Sequence, residues 1–439
     1  MDKEINNDNT TDNPNAHYEP LVHNPAQSSR NLYIVFYLGF VFMLLFSSYN
    51  TAQNMISEIY SQKLHLSYLG NVTLVVVYVL LGSTNIFVGK IMDYLTFKWA
   101  MFIASWGYIV FLAAGAIACS CETNPTASYC SEGSLVAINV IFAAILGLLA
   151  CIIWVAVTGY VSALCDEGSK AKFFGIFWAL VQSSQFLGNI ITAVVLGYVS
   201  HLVYFLILLL LAIGAALLFL LLPHIEKPVE QGVPKPLNQK INDFFKYFKV
   251  HEMQVFSIFC CFSGIIMGFY TGFLYKIIKQ SIADDGDSDL NQKTAYVFIC
   301  LGLFEFIGGM FNSYVGDKMN KYVMGSISTL IIELALLFSI IAYYEQNYLL
   351  CFFAAAGWGA GECICNSIIN AILTTDMGNK LECFAMYKFT QGIGVLIALL
   401  FSVVLDGQSP FIYLLIMSIF QIAANLSMVY LKNNIGKFD

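Results

Sequence analysis

The sequence predicts an all-α membrane protein of twelve transmembrane helices in two six-helix halves, and three observations predict it. Its 439 residues are 58% hydrophobic and only 11% charged, with a mean hydropathy of +0.72. Soluble domains carry about one-quarter charged residues, so much of this apolar surface must face lipid. Apolar runs of the length that crosses a ~30 Å hydrocarbon layer, at ~1.5 Å per residue, recur along the chain. One long polar segment, 223–252, divides those runs six and six. The net charge of −7 comes with no basic stripe and no aromatic RNA-reading motif, so the expected partner is the lipid bilayer and not nucleic acid.

The runs place spans at 32–56, 66–91, 97–119, 134–160, 173–199, 201–222, 253–275, 294–316, 323–343, 348–372, 383–405 and 409–431. Only Ser200 and His201 separate the fifth from the sixth. Residues 1–31 are rich in Asn, Asp, Thr and Pro, lack an apolar stretch, and carry acids where a signal peptide carries bases. They are expected to form a disordered tail and not a cleaved leader. Residues 32–222 and 253–431 form the two halves, and 432–439 a second tail. In 223–252, Pro223, Pro228, Pro234 and Pro236 precede a lysine-rich stretch from Lys240 to Lys249, the composition of a linker with a short surface helix at Ile241–Phe248.

Positive loops stay cytoplasmic. With both termini inside, the inner segments hold seventeen Lys and Arg residues, Lys388 among them, and the outer segments only Lys63, Lys276, Lys279 and Lys293. Cytoplasmic termini and linker follow, in the plasma membrane or an endomembrane. Twelve cysteines are spread along the chain; Cys119, Cys121 and Cys130 gather at the outer loop between spans three and four, where an oxidising compartment permits a Cys121–Cys130 or Cys119–Cys130 bridge. No His or carboxylate pattern completes a metal-ligand set with them.

Two motifs repeat at matching places in the halves. Gly89-x-x-x-Asp93 with Lys98 follows span two, and Ser313-x-x-x-Asp317 with Lys318 and Lys321 follows span eight. In each, a small residue lets helices close up and the Asp is free to pair with a Lys or a helix N-terminus. Trp178-x-x-x-Gln182 in span five answers to Tyr387-x-x-x-Gln391 in span eleven. Such internal repeats mark duplicated transporter-type halves.

The run Gly175-Ile-Phe-Trp-Ala-Leu-Val-Gln-Ser-Ser-Gln-Phe-Leu-Gly-Asn189 resembles the most diagnostic stretch of the uncoordinated-93, or ion channel regulatory protein, family of the major facilitator superfamily. Leu38–Phe46 with Thr51–Asn54, Gly357-Trp-Gly-Ala-Gly-Glu362 with Asn366, and Phe384–Gln391 agree with it, and the resemblance runs from Leu32 to about Tyr430. Two positions depart from the pattern: Glu362 stands where an Asp is expected, and Tyr94 where superfamily transporters usually carry Arg. The resemblance implies the major facilitator fold, with halves related by a pseudo-twofold axis and a central cavity lined by spans one, four, seven and ten. It also implies a role as regulatory subunit of a potassium channel or as a chaperone escorting receptors.

Three carboxylates fall near the bilayer midplane, Glu305, Glu333 and Glu362, all in the second half. A charge at that depth costs at least ~2.5–3.5 kcal/mol. Either each is a neutral acid hydrogen-bonded as structural glue, or it faces a cavity that admits water, a proton or a cation. Gln182, Gln185 and Asn189 share one stripe of span five; Asn50 and Gln53 stand on span one, Asn366 and Asn370 on span ten, and Gln391 on span eleven. These are the expected cavity-lining residues. No Lys or Arg is read at the depth of the carboxylates, which argues against a large anionic solute. Asn71-Val-Thr73 is an N-glycosylation sequon, and Tyr18-Glu-Pro-Leu21 has the form of an adaptor sorting signal.

No nucleophile–base pair, nucleotide loop or metal cluster is visible, so neither catalysis nor a cofactor is expected. The expected function is that of an accessory protein bound laterally to a channel or receptor, as the resemblance implies; the alternative is a secondary transporter of a small neutral or cationic solute or ion, with protons as a candidate coupling ion, as the intramembrane carboxylates allow.

Overall fold

The computed structural model describes residues 25–64, 66, 68–166, 168–195, 198–225, 236–282, 290–377, 381–404 and 410–434. The sorting motif at Tyr18 and Leu21 lies outside them. Twelve helical spans have the length and apolarity to cross a membrane. In the first half they are α1 (Pro25–Leu64), α2 (Leu69–Tyr94), α3 (Phe97–Ser120), α4 (Glu132–Leu164), α5 (Lys170–Val195) and α6 (His201–Leu218). A short helix, α7 (Leu237–Tyr247), precedes the second half; it starts four residues before the expected surface helix.

The seventh span is compound: α8 (His251–Phe269) passes through a wide π turn at Tyr270–Leu274 into α9 (Tyr275–Ser281). The remaining spans are α10 (Leu290–Val315), α11 (Lys321–Tyr344), α12 (Tyr348–Thr375), α13 (Leu381–Val404) and α14 (Pro410–Asn434).

Local chemistry fixes where spans begin. Ser200 Oγ accepts from Val203 N and caps α6, so the sixth span begins at His201, where the sequence starts it. Thr96, Ser131, Asn320 and Asn347 cap α3, α4, α11 and α12 in the same way, each taking an N–H that has no partner inside its helix.

The packing repeats. Within the first half α1 lies on α5 and α6, and α4 on α2 and α3; within the second α8 lies on α13 and α14, and α12 on α10 and α11. Between the halves α5 packs on α10 and α2 on α13. Each contact has its counterpart six spans away, the signature of a pseudo-twofold axis. Large apolar side chains such as Leu210, Leu334 and Leu426 remain more than half exposed on the outside of the bundle, where lipid replaces water.

Small residues let helices within the second half close up. A Cβ on Gly359 of α12 would stand 2.2 Å from Leu301 O and 3.0 Å from Glu305 N of α10. Only hydrogen at that position allows the backbones so close, and the approach sets Glu305 of α10 beside Glu362, one turn on from Gly359.

Candidate functional site

Two polar assemblies stand out, one at the end of the bundle that carries α7 (here the linker face) and one in the middle. At the linker face, Asp317, beyond the end of α10, accepts from Ala171 N through Oδ1 and from Lys172 N through Oδ2, both at 2.9 Å. It thus fills two vacant donors at the N-terminus of α5, where the helix dipole also favours a negative charge. Lys170 Nζ donates to Thr374 O at 3.1 Å, a second bond across the halves. Ser313 packs its backbone on Gly175, whose Cβ would come within 2.7 Å of Ser313 N.

The matching motif of the first half uses a different partner. Asp93 Oδ1 accepts from Lys240 Nζ of α7 at 2.5 Å, while its Oδ2 lies 3.3 Å from Lys90 Nζ. Lys240 is 5% exposed and also donates to the carbonyl of Gly89 at 3.3 Å. Phe244, one turn on, packs edge-on against Phe389 of α13. The linker helix is therefore fastened to both α2 and α13.

In the middle of the bundle a cavity lies between the halves. Asn50, Gln182, Glu362, Asn366 and Gln391 line it, together with Trp154, Trp178, Tyr270 and Lys388. One hydrogen-bonded chain connects most of these. Lys388 Nζ donates to Gln391 Oε1 at 2.7 Å, and Gln391 Nε2 to Asn366 Oδ1 at 3.1 Å. Asn366 Nδ2 donates to Glu362 Oε1 at 3.4 Å, which also accepts from Tyr270 OH at 3.3 Å. Behind Glu362 lies Glu305, fully buried, whose Oε1 accepts from Gln182 Nε2 at 3.2 Å. Oε2 of each carboxyl is buried with no hydrogen-bond partner.

The other expected lining residues are not among those that line this cavity. Gln53 donates to Tyr78 OH, Asn189 to Gln185 O and Asn370 to Asn366 O, so they serve packing between or along helices. Gln185 is buried outside the lining. Glu333 does not line this cavity; Ser418 of α14 donates to its Oε1 at 3.3 Å. The face of α11 that bears it turns toward α14, away from Glu305 and Glu362.

Lys388 corrects two expectations. It is not a loop residue but lies inside α13, about 10 Å along the axis from Leu381 at ~1.5 Å per residue. It is 3% exposed and lines the same cavity as Glu362, so the membrane interior does hold a basic residue. The objection to a large anionic solute falls with it. Its position in the predicted span 383–405 was the available signal; what hid it was that a Lys near a span end ordinarily extends its ammonium to the interface.

At the opposite end of the bundle Cys121 is disulfide-bonded to Cys130, and Cys119 is a buried free thiol. Asn71 lies in the first turn of α2. Among the described residues no group of three His, Cys, Asp or Glu has a metal-binding arrangement.

The family model of the Major Facilitator Superfamily matches residues 35–399. The UNC93-like protein MFSD11 of Xenopus tropicalis is 23% identical over 429 residues, covering 86% of this chain and 91% of that protein. Its counterpart from Xenopus laevis is 22% identical over 426 residues with the same coverage. Among solved structures, the E. coli fucose:proton symporter FucP superposes with a TM-score of 0.64 at 11% identity, covering 92% of this chain and 99% of that one. The proton:xylose symporter XylE, bound to 6-bromo-6-deoxy-D-glucose, gives 0.67 at 13% identity, with 93% and 96% covered. At these identities the structural likeness is one of fold.

Proposed function

The chain belongs to the Major Facilitator Superfamily, and from that premise we propose that it is a secondary transporter whose coupling site is the Glu305–Glu362 pair. One observation carries the proposal: two buried carboxyls at the meeting of the halves, each with an oxygen that no protein group satisfies, one of them opening on the central cavity. A carboxylate only accepts hydrogen bonds, so two of them side by side in a dry site are stable when a proton or cation is shared between them. The groups that face the pair are Gln182 on α5, Tyr270 on the π turn, Asn366 on α12 and, through Gln391, Lys388 on α13. A proton entering here is held by hydrogen bonds from both halves, and its release would be tied to their parting.

In this reading residues 32–222 and 253–431 are the moving halves. The bonds from Asp317 and Lys170 close the linker face, read here as cytoplasmic because the positive loops lie on that side. The symporters with the same fold move sugars with protons, which supports a proton as the coupling ion. The similarity to UNC93-like proteins supports a second reading, an accessory subunit or chaperone of a channel or receptor, and the two separate on one experiment.

Glu305→Gln and Glu362→Gln keep shape and hydrogen bonding but cannot ionise. Uptake of a solute library by cells under an inward proton gradient should be lost in both variants at unchanged abundance and location. Unimpaired uptake in the double variant would refute the coupling site, and regulation of a co-purifying channel that survives the double variant, with no solute taken up by the parent protein, would favour the accessory role.

A further inference from the structure

We propose that the Lys388 end of the cavity binds the carboxylate of a small organic acid, between the Lys388 ammonium and the Trp178 indole N–H; this rests on the transport reading for the acid's role as cargo, though the binding site stands by itself.

Lys388 is buried with no carboxylate within ion-pair distance among the described residues. It has three N–H donors, and Gln391 Oε1, a neutral amide oxygen, takes one of them. Otherwise it looks onto aromatic faces, with Nζ 4.6 Å from the Trp154 ring centre, 5.3 Å from Trp178 and 4.4 Å from Tyr387. Ring faces attract a cation but supply no compensating charge. A lysine kept only as structural glue in a membrane interior would be expected to carry a carboxylate partner.

A second donor is unsatisfied at the same wall. Trp178 is 4% exposed, lines the cavity, and its Nε1 has no hydrogen-bond partner. Its ring stacks on Trp154 at 5.4 Å with 7° between planes, which fixes where that N–H points. Two buried donor groups, Lys388 with a single neutral acceptor for its N–H groups and Trp178 Nε1 with none, define the complement: an anionic group with two acceptor oxygens. The neighbouring wall is aromatic, with Phe46, Tyr108 and Trp154, and suits an apolar or planar body. Glu362 borders the other side of the cavity, and a proton held by the carboxyl pair removes one of its two negative charges and so weakens the repulsion of the anion. Acid and proton are then bound together.

The test uses the full-length protein in nanodiscs, with benzoate as probe, and benzamide and benzylamine as neutral and cationic controls of like size. Binding is read from quenching of tryptophan fluorescence and checked by thermal unfolding. Benzoate should bind saturably and the controls should not. Lys388→Met should weaken benzoate by roughly ten- to a hundred-fold, the range for loss of a hydrogen bond to a charged group. Trp178→Phe, which keeps the ring and removes the N–H, should weaken it about three- to ten-fold, in line with one neutral donor. Should Lys388→Met fail to fold, Lys388→Arg retaining benzoate while Trp178→Phe loses affinity carries the same information. Equal binding of benzamide or benzylamine, benzoate binding indifferent to both substitutions, or no saturable benzoate binding would each overturn the proposal. Uptake of an amine that Glu362→Gln abolishes and Lys388→Met spares would also overturn it while leaving the transport reading standing. Saturable benzoate binding that needs Lys388, with no carboxylate taken up, would uphold the site and reject the transport reading.

Discussion

Removing the Asp317 carboxylate should loosen the linker face by an amount the structure sets. Its two oxygens accept from Ala171 N and Lys172 N at 2.9 Å. Bonds to a charged group are worth about 1.5 kcal/mol or more each when shielded, but Asp317 is exposed and water replaces much of what is lost. A net ~1–2 kcal/mol remains, which shifts an opening equilibrium by roughly five- to thirty-fold.

Cys165 is a native reporter of that opening. It caps α4 just before the α5 terminus, and burial pushes its thiol up out of the ordinary cysteine range, with the Asp317 charge a lesser contribution in the same direction and Lys170 opposing. Only the thiolate reacts with maleimide, so at neutral pH the closed state should label slowly. Asp317→Ala should speed labelling of Cys165 by about five- to thirty-fold in the same sense. Asp317→Asn removes the charge but keeps one acceptor oxygen, so the difference between the two variants isolates the hydrogen bond from the direct effect of the charge. Labelling rates followed by mass spectrometry at Cys165 give the answer. A rate in Asp317→Ala no different from Asp317→Asn, or from the parent protein, would refute the clamp.

Two predictions concern the packing. Gly359→Val places a methyl-bearing carbon against the Leu301 carbonyl, a backbone atom that yields only if α10 moves, so it should cost ~1–3 kcal/mol or more and lower the melting temperature in detergent; an unchanged melt would show that the helices are not pressed together there. The Cys121–Cys130 bridge closes a loop of nine residues' separation, so Cys130→Ser should cost about 2–3 kcal/mol by loop entropy, and in the parent protein Cys130 should resist maleimide in intact cells until a reductant is added.

The spans were legible in the sequence because a slab of hydrocarbon imposes a length on each of them. Even the start of the sixth span at His201 held, since Ser200 is chemically a helix cap. The motif acids were legible as a repeated spacing, but not their partners: Asp317 finds the α5 terminus and Asp93 finds Lys240, both far away in sequence. Depth along a helix could be counted, whereas facing could not. Glu333 and Glu362 lie at similar depths, yet α11 turns the first toward α14 while Gly359 draws the second onto α10. The Lys388 cage joins rings from α4, α5 and α13, and no local pattern announces a contact of that kind.

The π turn at Tyr270–Leu274 gives the seventh span an arithmetic of its own. A π turn holds one residue more than the helix lattice needs, and each lattice step is about 100° of rotation and ~1.5 Å of rise. Tyr270 opens that turn and reaches Glu362 from it, while α9 beyond carries Ser281, bonded to Ala342 of α11. Both contacts are in register only because the surplus residue is there. Squeezing it out would wind the two ends of the span against each other by about a quarter of a turn, so a single residue's worth of slack lets the half of the span nearest the carboxyls rotate without dragging its outer end along.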